Sequence, residues 1–218
     1  MARTVKLPNP LTLQENKGPR PLLERAGAWL FRHRTSIPVP LVLALLVIPA
    51  PEPSSSAGRW LGVAFVACGE GLRIWAVRHI GVISRTRGDR LGPVVETGPF
   101  ALIRNPLYVG NLALWVGFAL SAGLVWLVPV VIMMLGLEYH AIVRWEESLL
   151  ESRRGDEYLA YAGRVPRWIP RVGRPRSRQA LRREMRAPYA WQETLFSERG
   201  TLIAIAVGYL LLWLKLRT

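Results

Sequence analysis

One cysteine and three histidines are the only thiol and imidazole metal ligands in 218 residues. Cys68 sits inside the apolar run WLGVAFVACG, which excludes a disulfide framework and a cysteine-based zinc site and leaves packing as its expected role. His33, His79 and His140 stand far apart without metal-ligand spacing. No metal centre is therefore expected, with His140 the one histidine to follow. No glycine-rich loop follows a strand pattern, which argues against a P-loop and a soluble Rossmann fingerprint. A hydrolase triad likewise finds no nucleophile motif. The first twenty residues, MARTVKLPNPLTLQENKGPR, lack the apolar core of a signal peptide; a cytosolic, poorly ordered arm is expected there.

Acidic residues are also scarce, 15 against 29 lysines and arginines, for a formal charge of +14. Half of the chain is hydrophobic and nine residues are tryptophan, a combination suited to a membrane. A nucleic-acid binder could be as basic but has no use for runs such as LVWLVPVVIMMLGL and TLIAIAVGYLLLWL, so no nucleic-acid partner is expected.

The apolar runs predict an all-α integral membrane protein with about five transmembrane helices, at about Ile37 to Ala50, Trp60 to Val77, Leu107 to Leu120, Leu124 to Tyr139 and Thr201 to Leu214. Fourteen helical residues cover about 21 Å against a hydrocarbon core of about 30 Å, so local thinning or snorkelling is expected. The 31 residues from Leu107 to Leu137 carry no charge. As one helix they would measure about 46 Å, so the SAG at 121 to 123 is read as the turn of a helical hairpin, with Pro129 kinking its second arm.

Lysine and arginine number seven in residues 1–36, five in 78–106 and thirteen in 141–200, but one in 51–59 and none in 121–123. That alternation predicts a cytoplasmic N-terminus and an outward C-terminus in an inner or plasma membrane. The expected plan is an arm at 1–36 and one membrane domain at 37–218, with cytoplasmic juxtamembrane helices. The basic stretch RVGRPRSRQALRREMRAPYAWQETLF is expected to lie on anionic headgroups through Trp191, Leu195 and Phe196, or to form a solvated linker. The small residues of GFALSAG could pack within the hairpin or between chains. The oligomeric state is unreadable.

Three polar groupings fall at the predicted inner surface. Glu70 and Arg73, three residues apart, can pair on one helical face within the second span. In GPFALIRNPLYVGN, Gly98 and Pro99 supply a tight turn, and Pro106 opens a helix where its missing N–H does no harm. The free amides of that first turn, with Arg104 beside them, offer an anion seat; Tyr108 and Asn111 share a face, and Gly110 allows close approach. In RWEESLLESRRGDEYLAYAGRVPRWIP, Glu146 and Glu147 project about 100° apart, so one can face inward while the other meets solvent or an arginine. Each grouping also has a structural reading, as an ion pair, a capped positive-inside anchor and a charged surface helix.

In this order, GLRIWAVRHIG closing a span, TGPFALIRNPLYVG opening a hairpin and EESLLESRRGDEYLAYAGRVPRWIP after it, the chain resembles the isoprenylcysteine carboxyl methyltransferase and phospholipid methyltransferase superfamily. The resemblance covers the motif-bearing core, 71–170. It implies methyl transfer from S-adenosylmethionine, held at the cytoplasmic face between the loop and the acidic segment, to a lipid or isoprenoid-type amphipathic substrate entering from the bilayer. Carried over to this chain, the loop positions are Arg104, Asn105, Pro106, Tyr108 and Gly110, with the Gly98–Pro99 turn before them, and the acidic ones are Glu146 and Glu147. Tyr158 and Tyr161 match recurrent tyrosines. The resemblance places catalytic roles on Glu147, Tyr108 and Arg104. Asn105 stands where the carboxyl methyltransferases usually have histidine, and Phe100 where tyrosine is common. Asparagine can bind but cannot transfer a proton, which weakens an assignment to prenylcysteine substrates. Two alternatives accompany this reading: an NADPH-dependent membrane reductase of the sterol-reductase type, and a non-catalytic scaffold of the same fold.

Overall fold

A computed structural model describes residues 21–50, 56–81, 94–170, 189–215 and 217. It is an all-helical membrane protein. The helices are α1 (Leu22–His33), α2 (Val39–Val47), α3 (Ser56–Ile80), α4 (Pro106–Ser121), α5 (Leu127–Arg154), α6 (Asp156–Arg164) and α7 (Trp191–Lys215), with a short 3₁₀ turn at Gly98–Ala101. Among them α3, α5 and α7 are long and apolar enough to cross a membrane, and α4 is a shorter apolar helix.

Close packing of α3 on α4 sets the frame. Gly69 faces Gly110, and Gly62 faces Gly117; a Cβ at Gly69 would lie 2.7 Å from the Gly110 carbonyl oxygen, and one at Gly117 2.7 Å from that of Gly62. Two glycine pairs one heptad apart let the backbones touch, the usual device where hydrophobic burial supplies no drive between helices. Ser121 also lies against Gly62, so the small residues of GFALSAG pack against α3 of the same chain.

The expected hairpin is present. α4 ends at Ser121 with Ala122 as its cap, and Gly123 takes φ +76°, a left-handed conformation that glycine adopts without strain. The expected kink at Pro129 has no cause, because α5 begins only at Leu127. Pro129 therefore lies in the first turn, where no intrahelical N–H bond exists to be lost. α5 then runs 28 residues without a break and carries both the fourth span and the glutamate pair. Its buried stripe, Leu127, Val131, Leu135, Ile142, Trp145 and Leu149, joins Phe31, Leu41, Leu45, Val116, Ala119 and Leu212 in the main core.

The first expected span is reduced to the nine residues of α2, about 14 Å and well short of a crossing. Prolines explain it: Pro38 and Pro40 confine the helix start and Pro49 follows its end. The Lys215 ammonium at the end of α7 donates to the carbonyls of Leu45 and Ile48 at 2.7 and 2.6 Å, satisfying the exposed end of α2. Residues 22–33, expected within the N-terminal arm, form α1 and pack on α5. Gly27 is required there, since a Cβ would fall 2.1 Å from the Ala141 carbonyl oxygen. Residues 1–20 of the arm and 171–188 of the basic stretch lie outside the described residues. Trp191, Leu195 and Phe196, expected in a segment lying on headgroups, form the opening turns of the long helix α7.

Candidate functional site

The loop before α4 and the acidic end of α5 meet, although about forty residues separate them in sequence. Pro106 starts α4 and aims Tyr108 at α5, where its hydroxyl donates to Glu146 Oε1 at 3.1 Å. One residue on, Glu147 turns the other way. Arg104 reaches it at 2.8 Å, and Arg167 grips it through Nε at 3.0 Å and through Nη2. The two carboxylates thus divide as their 100° separation predicts, one toward a tyrosine and one toward arginines.

A second layer closes over this pair. Arg104 donates to the Tyr158 hydroxyl at 3.2 Å, and the Tyr161 hydroxyl donates to the Phe100 carbonyl at 2.9 Å. Burial, with Glu147 nearby, pushes the Tyr158 phenol up to about 12, and burial also raises that of Tyr161. Both stay neutral at ordinary pH. The Glu147 hydrogen bond raises the Arg167 guanidinium above its usual value. Backbone contacts bind the two segments directly: Arg104 N–H donates to the Pro166 carbonyl at 2.9 Å, and the Asn105 side-chain amide to that of Arg167 at 3.2 Å. At the exposed edge, Arg164 pairs with Glu96 at 2.9 Å.

Not every residue singled out from the sequence faces this cluster. Gly98 and Pro99 are buried below the loop, where Gly98 takes φ +60° and a Cβ would meet the His79 ring at 2.4 Å. His79 Nδ1 lies 2.8 Å from Thr97 Oγ1. This pair shapes the loop from beneath. Gly110 is turned toward α3, against Gly69 and the Arg73 side chain. Asn105 is a strap to the 166–167 backbone rather than a helix cap, since it makes no side-chain cap bond.

Sequence reasoning passed over two contributors. Arg167 was hidden between the prolines of VPRWIP, where nothing local distinguishes it from other surface arginines. Tyr139, whose ring centroid lies 5.0 Å from that of Tyr108, could have been found: it is seven residues before Glu146 and so shares its helical face. Arg104, expected as an anion seat, is already paired with Glu147, but its Nε is buried without a hydrogen bond and keeps a donor in reserve.

Residues 57–156 match the phospholipid methyltransferase family, part of the isoprenylcysteine carboxyl methyltransferase-like superfamily of membrane methyltransferases. The resemblance read from the motifs is borne out over that segment. The chain is also 33% identical over 117 residues to the nickel-cobalt-cadmium resistance protein NccN of Alcaligenes xylosoxydans xylosoxydans, covering 54% of this chain and 50% of that protein. It is 31% identical over 112 residues to the cobalt-zinc-cadmium resistance protein CzcN of Cupriavidus metallidurans, covering 51% and 47%. The chain thus spans about half the length of the curated relatives it matches. No solved structure matches it. Among the described residues, no group of three or more His, Cys, Asp or Glu side chains is arranged to hold a metal ion.

Proposed function

We propose that the chain is an S-adenosylmethionine-dependent methyltransferase of the cytoplasmic membrane face, acting on a lipid or isoprenoid-type amphipathic acceptor. The observation that carries this reading is the convergence of the two family motifs, Tyr108 on Glu146 and Arg104 on Glu147. The family match over 57–156 supports the reaction class. The excess of lysine and arginine in the 78–106 and 141–200 sequence segments supports the cytoplasmic placement of this end.

The residues suit the cofactor chemically. When bound, it supplies an already activated sulfonium methyl, so the protein has to hold donor and acceptor in line and exclude water. Glu146, hydrogen-bonded by Tyr108, and Glu147 are acceptors for ribose hydroxyls or an ammonium. The reserve donor on Arg104 and the free amides at the start of α4 suit a carboxylate. Tyr108 and Tyr139, packed ring against ring beside Glu146, offer an apolar wall to a bound acceptor. If the acceptor is an amine, Glu146 is the base nearest that wall.

Titration calorimetry of the detergent-purified protein with S-adenosylhomocysteine tests the reading. Saturable binding is expected at micromolar to low millimolar ligand, while NADPH produces no heat. Absence of S-adenosylhomocysteine binding together with saturable NADPH binding would replace the methyltransferase with a reductase. Mass spectrometry for lipids heavier by one methylene, after incubating membranes with labelled methyl donor, identifies the acceptor.

A further inference from the structure

The family match ends at residue 156, yet α7, far beyond it, carries a polar stripe through otherwise lipid-facing sequence. Thr194, Ser197, Glu198 and Thr201 stand at i, i+3, i+4 and i+7 on one face. Thr194 and Glu198 are each 1% exposed and Ser197 is 6%, and beyond this stripe only Leu212 of α7 is buried. A charge buried so completely is costly unless it is paired. Glu198 is paired: Arg73 of α3 reaches it at 2.7 Å, with Thr201 at 3.2 Å and Glu70 at 3.4 Å.

The same guanidinium extends further. Its Nη1 donates to Asn111 Oδ1 on α4, and Asn111 stands beside Tyr139 of α5, whose ring packs on Tyr108. Gly110 makes room for this reach, since a Cβ there would lie 2.6 Å from Arg73 Cγ. The motif RNPLYVGN is therefore divided. Arg104, Asn105 and Tyr108 serve the glutamate pair, while Gly110 and Asn111 receive the arginine of α3.

We infer that Glu198 and Arg73 are positioning residues of the candidate site, and that α7 fixes Tyr108 and Tyr139 through the chain Glu198–Arg73–Asn111. This rests on the proposed reading for its ligand, but the coupling itself is a property of the fold. An arginine is needed because its planar fork bonds Glu198 and Asn111 at once; a lysine retains the charge pair and loses the second contact.

Three variants separate positioning from simple charge burial. Arg73→Lys preserves an ion pair with Glu198. Arg73→Gln with Glu70→Gln and Glu198→Gln removes the cation together with both carboxylates it meets, so no charge of this cluster is left uncompensated. Thr194→Val alters the same stripe at a hydroxyl bonded to the Ala190 carbonyl, immediately before the helix, and not to α3 or α4. Each full-length protein is purified in detergent and measured for melting temperature, S-adenosylhomocysteine affinity by calorimetry, and hydrogen exchange at residues 108–111.

Arg73→Lys is expected to melt within a few degrees of the parent, bind at least fivefold more weakly and exchange faster at 108–111, with the triple glutamine variant alike and Thr194→Val unchanged. Parent-like affinity in both arginine variants overturns the inference while leaving the methyltransferase reading intact. If the parent itself binds no S-adenosylhomocysteine, the proposed function falls, and exchange decides the inference alone. Unchanged exchange at 108–111 in Arg73→Lys then overturns it; faster exchange upholds it.

Discussion

Glu147 accepts from both Arg104 and Arg167 with only 13% of its side chain exposed. Charge-assisted bonds of this kind contribute about 1.5 to 3 kcal/mol each. Glu147→Gln leaves two guanidinium groups facing a neutral amide. S-adenosylhomocysteine affinity is expected to fall by about tenfold to a hundredfold, as read by calorimetry, while the circular dichroism spectrum stays helical. Tyr108→Phe removes the hydroxyl that donates to Glu146 and should reduce affinity or turnover without unfolding the chain. Parent-like activity in both variants would take these residues out of the site. Asn105→Ala deletes the strap to Arg167, worth about 0.5 to 1.5 kcal/mol, and its effect should appear as faster proteolysis of the loop rather than loss of the helical fold. The residue types were legible in the chain, and so was the division of Glu146 from Glu147, because helical geometry alone separates neighbours by about 100°. The partners of Glu147 were not. An arginine's reach is long and flexible, and thirteen lysines and arginines within 141–200 compete for that reading.

Among the helices, α3 and α4 depend on absent side chains more than on present ones. Gly69→Leu would drive a branched side chain into the Gly110 carbonyl, where even a Cβ comes within 2.7 Å. Backbones this close cannot yield cheaply, so the expected outcome is loss of the monodisperse peak on size exclusion and a melting temperature lowered by several degrees. Gly136→Ala in α5 is the control: nothing lies within 4 Å of its Cβ position. Replacing a helix-interior glycine there should be neutral or stabilising by about 0.5 to 1 kcal/mol. Hydropathy located these helices well, because apolar runs mark what can face lipid. It misjudged ends. α5 extends fifteen residues past the expected span to Arg154, since a helix that leaves the bilayer has no reason to stop until Gly155 lets it. α2 falls short of its expected length because proline, not hydropathy, bounds it.

At the level of the whole molecule, the charge asymmetry predicts which way the site faces. In a Cys68→Ser background, Arg217→Cys should react with an impermeant maleimide on intact cells, and Glu157→Cys only after permeabilisation. The opposite pattern would invert the topology and place the candidate site outside. Composition and motif order alone determined the class of this protein, an all-helical membrane chain with a segment that matches the phospholipid methyltransferase family, because lipid solubility and local turn chemistry are written in short stretches of sequence. Tertiary structure decided what those stretches touch. Only folding brings Arg167 onto Glu147, turns Gly110 away from the glutamates toward Arg73, and recruits Glu198 from a helix beyond the family segment. Each of these contacts joins residues 20 to 125 positions apart. No local pattern encodes such pairings; they follow from two glycine pairs that let α3 and α4 close, and from buried charges that must find one another.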